Sequence, residues 1–137
     1  MSKIIAVDFD GTCVTHEYPD VGEDVGAVPV LRKLVQHGHR IILFTMRSGR
    51  SLVDAIKWFE QNDIPLFGVN TNPEQHVWTA SPKPYANIYI DDAALCCPLT
   101  SNIHRPSARP FCDWSAIHDA LARKGCFDVR KPNEYRC

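Results

Sequence analysis

The chain has 137 residues, of which 45% are apolar and 23% charged, with a net charge of -1, which fits one globular domain over residues 1–137 with a core of its own. The near-neutral balance gives no basic excess for wrapping nucleic acid and no acidic block for a solvating tail. No apolar stretch is long enough to span a bilayer.

The chain enters a strand-like run at once, with no signal-peptide architecture at Met1-Ser2-Lys3, so a cytoplasmic location is expected. Lys3 to Val7 is nearly continuous in apolar residues, the pattern of a buried parallel strand. It stops at Asp8, Asp10 and Gly11. Cys13 to Val25 is polar and turn-rich and reads as a loop or small flap. Pro29 opens a helix with Leu31, Leu34 and Val35 on one face and Gly38 at its end. Arg40 to Thr45 is a second buried strand. Ser48 or Ser51 caps the next helix, lined by Leu52, Val53, Ile56 and Phe59.

Ile64 to Val69 is a weaker strand broken by Pro65, and Asn70 to Pro84 is irregular. Asn87 to Ile90 is a fourth strand that ends in Asp91 and Asp92. Ala93 to Phe111 reads as a long loop carrying His104, Arg105 and Arg109. Asp113 caps a last helix with Ile117, Ala120 and Leu121 inward and Gly125 at its end, and the last dozen residues look peripheral. Strands alternating with helices predict an α/β fold, a Rossmann-like three-layer sandwich with a mainly parallel sheet and helices on both faces. The six cysteines, Cys13, Cys96, Cys97, Cys112, Cys126 and Cys137, form no CxxC pair and read as reduced thiols. Cys13, close to the acids, could be a thiol sensitive to modification.

Ligands of open parallel sheets bind beyond the carboxyl ends of the strands. Three strands here end there in polar groups: Asp8 with Asp10, Thr45, and Asp91 with Asp92. Residues two apart in extended chain point to the same side, so Asp8 and Asp10 face one cleft and repel each other unless a cation or a proton intervenes. A hard cation with oxygen ligands, magnesium first, resolves the conflict. Thr45 offers a hydroxyl, and Lys83 offers a cation for an anionic substrate. This constellation suits phosphoryl transfer, with a carboxylate as nucleophile and a second one as acid and base.

At these residues the chain resembles the haloacid dehalogenase superfamily of phosphatases. Its Asp-x-Asp-x-Thr motif is matched by Asp8 to Thr12, its strand-ending Thr by Thr45, its Lys by Lys83 and its acidic pair by Asp91 and Asp92, in the family's order. The resemblance implies a magnesium-dependent phosphomonoester hydrolase in which Asp8 is the nucleophile and Asp10 the general acid and base. It implies a metal site built from the Asp8 side chain, the Asp10 main-chain carbonyl and Asp91 or Asp92. Thr45 and Lys83 would bind the transferring phosphoryl group, and Arg47 is a further candidate for substrate contact.

The short spans from Thr12 to Thr45 and from Thr45 to Lys83 leave no room for a large cap domain. Thr45-Met46-Arg47 and Asp113-Trp114 resemble the small capless group of the family found in bacteria and phages. The implied partner is a phosphorylated substrate of unspecified identity. An open cleft would also admit a phosphoprotein or a nucleic-acid end, or would be closed by a second copy of the chain or by the Ala93 to Phe111 loop. A phosphate-binding protein without turnover is the non-enzymatic alternative. Arg105, Arg109 and His16 are further residues that could touch a substrate.

Overall fold

The computed structural model describes residues 2–105 and 107–127. Four short strands, β1 (Ile4–Val7), β2 (Arg40–Leu43), β3 (Leu66–Val69) and β4 (Ile88–Ile90), form one sheet in the order β3-β2-β1-β4. Every pairing in it is parallel. Three helices flank it, α1 (Ala27–Gln36), α2 (Gly49–Gln61) and α3 (Trp114–Arg123), giving the α/β, Rossmann-like architecture expected from the alternation of elements. The chain steps from β1 to β2 to β3 on one side and then returns to place β4 on the other side of β1. Such a reversal opens a crevice at the strand ends flanking it, here those of β1 and β4.

Strand alternation sorts the core. Ile5, Val7, Ile41 and Leu43 join a cluster that contains the buried residues of all three helices, among them Leu31, Leu34, Ala55, Phe59, Ile117 and Leu121. Ile4, Ala6 and Ile42 point the other way and meet Ala86, with Phe67 alongside. The second face is therefore covered by the segment leading into β4, which holds only a 3-10 turn at Gln75–Val77, and not by a long helix.

Several local expectations shift. Helix α1 begins at Ala27, two residues before Pro29. Its capping acceptor is Asp24, whose Oδ1 takes the amides of Ala27 and Val28 at 2.9 and 3.2 Å, because the N-cap Gly26 has no side chain. Of the two serines, Ser48 takes the N-cap position of α2, without a side-chain bond, and Ser51 Oγ donates to the Ser48 carbonyl. Val53 faces outward, 46% exposed, while Trp58 takes the inward place. Strand β3 starts after Pro65, which has no N–H to give to a ladder.

The Ala93 to Phe111 segment is not a plain loop. Its base closes as an antiparallel pair, β5 (Leu99–Thr100) with β6 (Phe111–Cys112). Asp113 caps α3 as expected, accepting from the amides of Ser115 and Ala116, and Gly125 follows the helix at φ 81°. The cysteines at 13, 96, 97, 112 and 126 are free thiols. Cys137 and most of the C-terminal dozen lie outside the described residues. Among those residues no helix is long and apolar enough to cross a membrane.

Helix α3 is joined to the loop after β1 by a buried hydrogen bond of 2.6 Å from Trp114 Nε1 to the Thr12 carbonyl. Trp114→Phe strands that carbonyl and is expected to lower unfolding free energy by roughly 1–3 kcal/mol, measured by urea denaturation; an unchanged midpoint would show that the bond contributes nothing.

Candidate active site

The apolar run of β1 continues as Asp8-Phe9-Asp10 with its alternation intact. Phe9 is fully buried and packs edge-on to Trp58, ring centroids 5.6 Å apart. This anchors the turn from below and leaves both carboxylates on the opposite side, lining a cleft of about 560 Å³. Hydrogen bonds from Asp8 N to the Ile90 carbonyl and from Phe44 N to the Val7 carbonyl carry the sheet pairing to the cleft floor. Asp8, Asp10, Thr45, Arg47, Asp91 and Asp92 all line this cleft, with His16, Tyr18, Met46, Ala93 and Arg109.

Within the cleft the acids separate. Asp8, Asp91 and Asp92 each offer an oxygen within 4.8 Å of the others. Thr12 sits between them: its hydroxyl donates to Asp8 Oδ2 at 2.8 Å and accepts from the Asp92 amide at 3.0 Å. Sequence reasoning counts Thr12 only as the end of a motif. Its position four residues after Asp8, with no exposed surface, makes it the group that sets the spacing of the carboxylates. Burial pushes the Asp8 carboxyl up to about 7; the Thr12 hydroxyl opposes this, and the charge of Asp91 reinforces it. Three crowded oxygen donors, one of them reluctant to ionise alone, are a donor set that could hold one hard divalent cation.

Asp10 is expected as a neighbour of this group, but its carboxylate belongs to Arg47. Nε and Nη2 of Arg47 grip the two Asp10 oxygens at 2.8 Å each. The remaining donors go to the carbonyls of Pro19, Asp20 and Ser51, and the side chain is 1% exposed. The five N–H groups of a guanidinium are thereby all used. Arg47, a candidate for substrate contact from its place after Thr45, has no donor left for a substrate phosphate; it fixes Asp10 and the flap to α2. The guanidinium also lies 4.9 Å from the Phe9 ring centre, and the bonds from Asp10 hold its pKa above the usual arginine value.

Thr45 is set by Asn70, whose Oδ1 accepts the Thr45 amide at 2.8 Å. Asn70 follows β3 at φ 55°, a left-handed conformation that asparagine tolerates better than most residues. The Thr45 Oγ1 accepts the Arg47 amide, which leaves its proton available to a ligand in the cleft. Lys83 stands apart from these groups: it is exposed, its Nζ lies 5.2 Å from the centre of the Tyr89 ring, and it is not among the cleft-lining residues. As placed, its ammonium pairs with none of the three carboxylates.

His16, from the flap, reaches Asp92 Oδ2 at 3.2 Å and the Pro110 carbonyl at 3.1 Å through Nε2. Both neighbours are acceptors, so Nε2 carries the proton. Gly11, at φ 77°, makes room for this contact: a β-carbon there would collide with the His16 ring and crowd Asp92. Cys13 is fully buried below, and burial pushes its thiol well above the ordinary range, so the expectation of a modifiable Cys13 gives way to an inert core thiol.

No protein-family model matches the chain, and no curated protein does. The solved structure of a conserved protein from Bacteroides thetaiotaomicron is similar to it: 35% identical, with a TM-score of 0.71, over 90% of this chain and 93% of that one.

The raised Asp8 carboxyl makes stability depend on pH. A folded pKa above the unfolded value near 3.8 means that the native state holds the extra proton between about pH 4 and 7, so stability falls as pH rises through that window. Without divalent ions, Asp8→Asn is expected to match the wild type near pH 4 and to exceed it at pH 8 by on the order of a few kcal/mol. Urea denaturation at the two pH values measures the difference; a pH-independent gap would contradict the assignment.

Proposed function

The chain belongs to the same family as the conserved Bacteroides thetaiotaomicron protein, and from its own residues we propose that it is a magnesium-dependent phosphomonoester hydrolase of the haloacid dehalogenase type. The observation that carries this reading is the cluster of Asp8, Asp91 and Asp92 at the ends of β1 and β4, beside the Thr45 hydroxyl in one cleft. Solvated surface acids have no reason to converge from two strand ends onto one buried threonine hydroxyl.

Asp8, Asp91 and Asp92 would hold the magnesium ion. The Asp10 carboxylate, held by Arg47, stands outside that set, in keeping with a role for Asp10 through its main-chain carbonyl. Bound there, magnesium supplies positive charge that offsets repulsion between an anionic phosphoryl group and carboxylates.

Asp8 is the nucleophile. One of its oxygens attacks phosphorus, the bond to the ester oxygen breaks, and an aspartyl-phosphate forms on Asp8. The Thr12 hydroxyl, bonded to Asp8 Oδ2, fixes which oxygen faces the cleft. Thr45 donates its free proton to a phosphoryl oxygen. Asp10 protonates the departing alkoxide and then takes a proton from the water that cleaves the acyl-phosphate. The bidentate grip of Arg47 occupies both oxygens of Asp10. Proton delivery to the leaving group therefore requires that grip to loosen. Lys83, whose Nζ lies over the Tyr89 ring, would bind the phosphoryl group only after leaving that ring.

Purified protein is expected to hydrolyse an aryl phosphate with magnesium and to lose turnover on chelation. Asp8→Asn is expected to lower kcat by roughly a thousandfold or more, and Asp10→Asn by about 10²–10⁴-fold. Turnover that persists in Asp8→Asn, or that ignores the metal, would overturn the reading.

A further inference from the structure

A second cavity of about 320 Å³ adjoins the carboxylate cleft, and His16 and Arg109 line both. Its walls are the flap, through Thr15, Glu17 and Glu23, and the turn above the β5–β6 pair, through Arg105. Both walls are tied to the site. Arg47 holds the flap by the carbonyls of Pro19 and Asp20, and the flap closes on itself where Thr15 N meets the Glu23 carbonyl. The other wall is pinned where Cys112 N donates to the Gly11 carbonyl at 2.9 Å and where the Pro110 carbonyl accepts from His16. These two segments enclose the space next to the reacting group.

The charge in this space is divided. In the cleft stand four carboxylates, one of them, Asp10, paired with Arg47; at the shared rim and beyond stand Arg109 and Arg105, which form no ion pair among the described residues. Arg47 is fully used and Lys83 lies elsewhere, so Arg105 and Arg109 are the cations that face this space. Glu17 and Glu23 on the flap wall confine a second negative charge to the arginine side and can accept hydroxyl protons opposite. The volume suits a small molecule and leaves a polymer no groove to run through.

We propose that this cavity is the leaving-group subsite, and that the substrate is a small phosphomonoester whose alcohol portion carries a second anionic group, received by Arg105 and Arg109. The assignment rests on the phosphohydrolase reading: the transferring phosphoryl group occupies the carboxylate cleft, and the rest of the molecule passes His16 into the second cavity.

The test compares kcat/KM, with magnesium, for propyl phosphate, 3-(phosphonooxy)propanoate and propane-1,3-diyl bisphosphate, three primary-alkyl esters that differ in the distal group. Wild-type protein is expected to favour at least one of the two doubly anionic esters by about tenfold or more, the scale of one charge-assisted hydrogen bond, mostly through KM. The preferred one identifies the distal group as carboxylate or phosphate. In Arg105→Ala/Arg109→Ala, two exposed positions, the ratio is expected to fall toward one. Equal treatment of the three esters by wild-type protein, or a preference that survives in the double variant, overturns the subsite and leaves the phosphohydrolase reading standing. No turnover of any ester removes both.

Discussion

The structure turns on the repulsion among carboxylates gathered where β1 and β4 end. Asp8, Asp91 and Asp92 bring oxygens within 4.8 Å of one another in a setting that burial already makes hostile to charge, as the rise of the Asp8 carboxyl to about 7 records. Parallel pairing of β1 with β4 forces this convergence, because in-register strands deliver their following residues to the same edge. Three groups manage it. Thr12 bridges Asp8 and Asp92, His16 meets Asp92 from the flap, and Arg47 draws Asp10 away. A divalent cation would complete the neutralisation, so any metal binding there and the cost to stability would be two sides of one interaction.

This division assigns different environments to two carboxylates only two residues apart. Alternation sends both to the cleft and Phe9 to the core. What separates them lies outside the local chain: Asp8 faces acids from β4, while Asp10 faces a buried guanidinium from the segment after β2. Opposite surroundings for paired carboxylates are the usual way to obtain a nucleophile and a proton-transfer group from one residue type. The same arginine fastens the flap that walls the neighbouring cavity, so the placement of Asp10 and the shape of the proposed leaving-group space share one anchor.

Much of this is legible in the sequence alone. Runs such as Ile4 to Val7 and Arg40 to Leu43 have the length and continuity of buried strands, and acids or a threonine placed just after them fall at the ligand-binding edge by topology. Asp8, Thr45, Asp91 and Asp92 are found in this way. What stays hidden depends on long-range partners. Arg47 reads as a free cation until Asp10, Pro19, Asp20 and Ser51 are seen around it, and the place of the Lys83 ammonium over the Tyr89 ring has no sequence signal. The β5–β6 pair escapes detection because two-residue strands have no period to recognise, and Val53 is misplaced because it sits one position off the stripe of Leu52, Ile56 and Phe59. The Asp24 cap is hidden by Gly26, which occupies the expected capping place without a side chain.

In the proposed reaction Asp8 becomes covalently phosphorylated during turnover. Rapid acid quench of the magnesium-loaded protein during hydrolysis of a phosphomonoester, followed by peptide mapping by mass spectrometry, tests it directly. A phosphoryl group is expected on the peptide that contains Asp8, localised to that side chain and absent in Asp8→Asn. Steady turnover with no phosphorylated enzyme under conditions that preserve acyl-phosphates, or a phosphoryl group on another residue, would contradict it.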